Sequence, residues 1–388
     1  MAGLFYPGDD PYWEAVDLHY WPTGDLEWYD PGAITTEDGK LVITMTEENY
    51  HDLNFKSGMM QTWNKVCVSS STSIRETYSA FEFCFTTGYV EVKVSFPGTT
   101  NTPGFWPGAW TMGNLGRAGY GATTEGMWPY TYDTCDVGTL KNQTNKDGTP
   151  AATATGGEGN VLSYLPGQRA SACTCPGEDH PGPDVSKGRG VPEIDILEAQ
   201  VDVNQSPFEG QVSQSFQCAP FNLNWKFDNT STEFADSTKT KWNGYRGSQT
   251  QQAVSALTYI PSTVYSGQDY GVYGFEYWSD PDNREDGYIT WVASDTQSWT
   301  MKAGAIGSDT GAEIGPRLIP EEPMNKMYVD YIRVYQRDGV SEGATCNPSK
   351  HPTSDYINNH INAYTNPNYT IWSEAGYTFP KNSLWDGC

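Results

Sequence analysis

Positive charge is what this chain has least of. Its 388 residues carry 23 Lys and Arg against 48 Asp and Glu, a net charge of −25, and its five histidines are scattered. That balance argues against a nucleic acid or an anionic membrane as partner, since both call for clustered cations. Long apolar runs are missing too. No stretch reaches the ~18–20 apolar residues of a membrane span, so no membrane contact is expected within this chain. The start, Met1 to Pro7, has neither a basic n-region nor an apolar h-region. Among the eight cysteines (Cys67, Cys84, Cys135, Cys173, Cys175, Cys218, Cys346 and Cys388) no pair has Cys-x-x-Cys zinc spacing. Cys173 and Cys175 stand too close for easy self-pairing. Disulfides in an oxidising compartment are the remaining default. Sequons at Asn142, Asn229 and Asn368 agree with N-glycosylation in the secretory pathway, and Asn204 less so, because Pro207 follows its sequon. A signal or membrane anchor upstream of Met1 is therefore expected.

Aromatic residues are abundant: 14 Trp, 25 Tyr and 14 Phe in a chain only 18% charged. Aromatic faces combine apolar area with a polar rim and suit the flat C–H faces of sugar rings, although most of these rings must be core. Short β-branched or aromatic runs recur at Leu41 to Met45, Gly88 to Ser95, Glu193 to Glu198, Gln211 to Phe216, Gly271 to Trp278, Tyr288 to Val292 and Tyr328 to Tyr335, and 40 Gly and 25 Pro supply turns between them. Phe275 to Trp278 and Tyr288 to Val292 read as a hairpin. The expected fold is all-β, a sandwich or barrel, with helices almost nowhere. Residues 1–340 form the main domain. Within it, 113–190 is a long Gly/Thr/Pro-rich insertion holding three cysteines, and 341–388 is a tail that could be stapled back through Cys346.

Near the middle, Glu193-Ile194-Asp195-Ile196-Leu197-Glu198 sets three carboxylates in the apolar frame of a buried strand. Alternate strand residues share a face, so Glu193 and Asp195 point one way and Glu198 the other. A β-bulge with Ile196 or Leu197 as the extra residue returns Glu198 to the face of its neighbours, and bulges are over-represented beside active sites. Four strand steps of ~3.3 Å put the Glu193 and Glu198 backbones roughly 13 Å apart. Converging side chains can close that to the ~5–5.5 Å of a retaining glycosidase, with the inverting range of ~6.5–9.5 Å still open.

Pro103 to Met112, with Trp106 and Trp110 four residues apart, precedes this strand, and Met327 to Gln336 closes the series. In that order, with Gly88 to Lys93 and Phe275 to Trp278, the chain resembles glycoside hydrolase family 16 over roughly residues 40–340. Thr111 to Arg117 and Gly126 to Asp136 are similar to its fungal branch, named for killer-toxin resistance and associated with synthesis of cell-wall β-1,6-glucan. The resemblance implies a β-jelly roll of two curved antiparallel sheets with an open cleft. It implies Glu193 as nucleophile, Glu198 as general acid/base and Asp195 as the residue tuning the nucleophile. It implies a β-glucan donor and acceptor as partners, with an upstream membrane helix and a catalytic domain in the lumen, at the plasma membrane or at the wall face.

Trp106 and Trp110 match the segment beneath and beside the cleft, with core packing as the alternative, more so for Trp110. Trp128, Tyr130 and Tyr132 sit on the insertion, where they could wall the cleft, and Gln214 is a candidate for a sugar hydrogen bond. Asp330 falls where some relatives hold a structural calcium, but one acid does not make a site of ~6–8 oxygens. No catalytic metal or other cofactor is expected. The leading expectation is a retaining transglycosylase of wall β-glucan. An endo-hydrolase of β-1,3- or β-1,6-glucan and a non-catalytic glucan-binding assembly factor are the alternatives.

Overall fold

The computed structural model describes residues 5–63, 83–140, 165–219, 226–248, 251–279, 283–306, 319–321 and 325–388. Two antiparallel sheets dominate it. The longer strands in chain order are β1 (Lys40–Tyr50), β2 (Gly88–Ser95), β3 (Gly108–Met112), β4 (Glu193–Asp202), β5 (Glu209–Cys218), β6 (Gln251–Ile260), β7 (Gly271–Trp278), β8 (Tyr288–Ala293), β9 (Thr296–Lys302) and β10 (Asn325–Tyr335). One sheet runs β6-β5-β4-β3 through its middle and the other runs β9-β8-β7-β2-β10-β1, each with shorter strands at its margins. The expected hairpin is β7 with β8, in register Glu276↔Thr290. Strand β6 was not expected, because its Gln, Ala and Ser residues have little β propensity. It is held by full-length pairing with β5. The chain forms a β-jelly-roll sandwich, not a closed barrel, and the two α-helices among the described residues, Ser354–Asn359 and Ile361–Thr365, lie in the tail.

The core between the sheets follows from strand alternation. Val90, Val92 and Val94 of β2 meet Ile194, Ile196 and Leu197 of β4, Val212 and Phe216 of β5, and Phe275 and Trp291 of the facing sheet, all buried. Each such aliphatic side chain stabilises by about 1.5–3 kcal/mol, so a one-residue slip that turned β4 over would be prohibitive.

A second core joins the insertion and the tail to the β3 margin: Trp63, Trp110, Met112, Leu115, Met127, Tyr364 and Trp372 are among its buried members. Arg117 ties three segments here. It stacks on Trp63 and Tyr120 and donates to Glu14 Oε1 and Tyr364 O. Arg169 lies over the Trp372 ring and donates to the carbonyls of Ala122, Thr124 and Glu125. Disulfides Cys84–Cys346 and Cys175–Cys388 fasten the tail to the strand region and to the insertion, and Cys135–Cys173 closes the insertion on itself. Cys346 does staple the tail, through Cys84. Cys173 and Cys175, with only Thr174 between them, take different partners. Cys218 is buried and free among the described residues, while Cys67 and the Asn142 sequon lie outside them. Gly190, just ahead of β4, has no room for a side chain, since a Cβ there would collide with the Tyr130 carbonyl.

Candidate active site

The register of β4 settles which way its carboxylates face. Against β5, Glu193, Asp195 and Glu198 stand opposite Gln217, Ser215 and Ser213, and the register shifts between Asp195 and Glu198. Against β3, Glu193, Asp195 and Glu198 oppose Met112, Trp110 and Gly108. Alternate residues of a neighbouring strand share one face, so all three acids do too. The bulge is real, and Ile196 and Leu197 both turn into the core with no exposed surface.

A bulge removes carbonyls from the ladder, and here the core satisfies them. Trp291 Nε1 donates to Asp195 O at 2.8 Å, Gln214 Nε2 to Ile196 O at 2.8 Å, and Thr111 Oγ1 to Ile194 O at 3.1 Å. Gln214 also donates to Val292 O and accepts from Ser298 Oγ. It therefore spans the two sheets and clamps the bulge, fully buried. Its expected role as a sugar ligand is corrected, since neither amide atom faces the cleft.

The acids differ in their surroundings. Asp195, only 1% exposed, hydrogen-bonds Glu193 and accepts from Gln217 Nε2 at 2.9 Å. Burial first, then the Glu193 charge and the hydrogen bond to it, push its carboxyl well above the usual range. Burial thus favours the protonated form of Asp195, which is hydrogen-bonded to Glu193. Glu193 Oε2 also accepts from Trp128 Nε1 at 2.7 Å. Glu198 accepts from Trp106 Nε1 at 3.0 Å and hydrogen-bonds Ser213. Burial, then the charge of Asp195, raises its pKa to about 8 against those two hydrogen bonds. Glu198 thus holds its proton at neutral pH on the face it shares with Glu193.

Trp106 and Trp128 sit on the carboxylates, each donating to one glutamate. The remaining expected ligands lie elsewhere. Trp110 is on the cleft face but sealed inside the second core, as the core-packing alternative had it. Tyr130 and Tyr132 do not wall the cleft. They are buried with Leu165 and Ala219, Tyr132 OH donating to Asp136 Oδ2 at 2.6 Å and Tyr130 OH accepting from Gly167 N. Asp330 pairs with Lys93 at 3.1 Å and Lys40 at 3.7 Å, so its carboxylate serves two ammonium groups and not a calcium site. Among the described residues no group of three or more His, Cys, Asp or Glu could hold a metal. A cavity of about 1010 Å³, lined by Phe216, Ile289 and Met301 among others, includes none of the three carboxylates in its lining.

Three groups escaped the sequence reading. Gln217 is visible in retrospect from parity, four strand steps from Ser213. Trp291 was seen as a strand residue only. Tyr245, on the turn before β6, carries no local signal at all. Its hydroxyl accepts from Gln251 Nε2 at 2.7 Å, and Gln251 Nε2 also donates to Gln217 Oε1 at 3.2 Å.

A β-jelly roll with a bulged strand that gathers three carboxyl groups on one face, one of them holding its proton to about pH 8, defines the class. Sequence comparison then gives the family. The model for "Beta-glucan synthesis-associated protein SKN1/KRE6/Sbg1" matches residues 2–79, 76–326 and 325–388, and the chain belongs to that family. It is 43% identical over 411 residues to the beta-glucan synthesis-associated protein KRE6 of Saccharomyces cerevisiae, covering 99% of this chain and 52% of that protein. It is 42% identical to SKN1 of the same yeast, covering 99% and 48%. The chain thus spans about half the length of the curated relatives it matches. Among solved structures, a laminarinase from Rhodothermus marinus is similar at 16% identity and TM-score 0.43, covering 86% of this chain and 94% of that one.

Proposed function

We propose that this chain is the catalytic domain of a retaining β-glucan transglycosylase that builds or remodels cell-wall glucan, β-1,6-glucan in particular. The observation that carries the reading is the division of labour on β4: Glu193 is supplied with donors from Trp128 and Asp195, while Glu198 keeps its proton to about pH 8. In the first step Glu198 gives its proton to the leaving glycosidic oxygen while the Glu193 carboxylate attacks the anomeric carbon. The bond to the leaving group breaks as the glycosyl-Glu193 ester forms. In the second step Glu198 takes the proton of the incoming hydroxyl, which displaces Glu193. The cycle uses carboxyl groups alone. A sugar hydroxyl is favoured over water as acceptor because the second core shields the β3 side of the site.

The names of the relatives, which speak of β-glucan synthesis, support a role in that process. Three disulfides support an oxidising compartment, and exposed Asn229 and Asn368 are open to glycosylation there. The test is incubation of the protein and its Glu193→Gln variant with β-1,3- and β-1,6-linked gluco-oligosaccharides, with products followed by mass. Products longer than the donor support transfer, and shorter ones alone support hydrolysis. Identical behaviour of the two proteins overturns catalysis and leaves glucan binding as the function.

A further inference from the structure

The two flanks of the carboxylates are built differently. On the β3 flank, Trp110 and Met112 stand opposite Asp195 and Glu193, and both are at most 5% exposed beneath Leu115, Met127, Trp63 and Tyr364. That flank is filled opposite Asp195 and Glu193, while beside Glu198 the Trp106 ring stays half-exposed. On the β5 and β6 flank the floor is small and polar: Ser213, Ser215 and Ser255 share hydrogen bonds of 2.7–3.1 Å, and Asn243 Nδ2 donates to Ser255 Oγ at 3.1 Å. On this flank Tyr245 keeps 42% of its surface exposed.

Tyr245 is a held platform. Its amide donates to Asn243 Oδ1 at 3.0 Å, the next residue is fixed by Ala253 N donating to Arg246 O at 3.0 Å, and its hydroxyl takes the Gln251 amide. Burial first, and then the charges of Glu198, Glu193 and Asp195, raise its hydroxyl pKa to about 12, so all three acids lie within electrostatic reach of the ring. The Gln251–Gln217–Asp195 hydrogen bonds connect it to the same group.

We propose that Tyr245 is the ring on which the sugar unit beside the scissile bond stacks, and that the filled β3 flank makes the site accept the end of a glucan chain and not its interior. This specificity rests on the glycosidic reading above. A neutral sugar face on an exposed tyrosine needs no charge on the ligand. A chain lying across the sheet meets Trp110 and its cover after passing the carboxylates, so few units extend beyond the point of cleavage.

Two measurements test it. With β-1,3- and β-1,6-linked glucohexaose labelled at the reducing end, chain-end action yields one fixed product size at the earliest times, whereas a full ladder of sizes overturns it. Tyr245→Ala should raise KM about tenfold with a smaller change in kcat, and Tyr245→Phe, which keeps the ring, should recover most of that loss. An unchanged KM in Tyr245→Ala overturns the platform. Thermal unfolding of both variants checks that the fold is intact. Should the native protein turn over neither sugar, the glycosidic reading falls first. Binding of the same hexaose, followed by tryptophan fluorescence, then decides the platform: weaker binding by Tyr245→Ala supports it, and equal binding overturns it.

Discussion

Trp291 reaches from the facing sheet through the core and donates its indole N–H to the backbone carbonyl of Asp195 at 2.8 Å. The ring is wholly buried and stacked on Trp299 at 4.2 Å. A residue that never touches the cleft thus holds the strand irregularity that turns Glu198 onto the face of Glu193.

Trp291→Phe should leave that carbonyl buried and unpaired, at a cost of about 1–3 kcal/mol. Gln214→Leu should cost a similar amount or more, because Ile196 O, Val292 O and Ser298 all lose a partner. Urea unfolding measures the loss. Both variants should also lose activity beyond their loss of stability, assayed well below the unfolding midpoint, and full activity in either would show that the bulge stands without them.

Activity should fall as pH rises through about 8, where Glu198 gives up the proton the first step requires. Trp106 donates to this carboxyl and holds its pKa down. Trp106→Phe should therefore move the alkaline limb of the kcat/KM profile to higher pH. A limb that stays in place assigns the titration to another group.

The same group has a stability signature. Its folded pKa of about 8 lies above the ordinary 4.5, so the fold holds the proton more tightly than the open chain does. Its contribution is complete below about pH 4.5, declines as pH rises and is gone by about 8. Buried Asp195 acts in the same direction. Glu198→Gln cannot ionise, so its Tm relative to the native protein should climb between those pH values and then level off. A constant difference across that window would remove the raised carboxyl from the account.

Arg169 should prove essential to the attachment of the tail. Replacing it with Met unpairs the carbonyls of Ala122, Thr124 and Glu125 and removes the cation over Trp372, at about 1–3 kcal/mol for each carbonyl that stays buried. Limited proteolysis should then cut the tail early while Cys175–Cys388 keeps the fragment attached until reduction. Unaltered resistance would place the anchorage in the aromatic contacts alone.

Much of the fold was legible because strand alternation is local. The β4 bulge could be read from Ile196-Leu197, two apolar residues where a regular strand allows one. The same parity could have placed Gln214 with Val212 and Phe216 on the core side, and the polar character of its side chain is what misled. Tyr130 and Tyr132 looked like cleft walls because they lie in the insertion. Their positions depend on Asp136 and Gly167, whose approach no spacing announces.

Alternation, composition and turn residues thus fixed by themselves the all-β character of the chain and the grouping of Glu193, Asp195 and Glu198 on one face. Those are matters of backbone period and apolar burial within a few residues. Which flank of that face is filled, which tryptophan donates to which glutamate, and the place of Tyr245 beside them were decided only by tertiary structure. The tryptophan contacts join segments 65 and 92 residues apart, and only the packing of the second core and the register of the sheets brings such distant segments together.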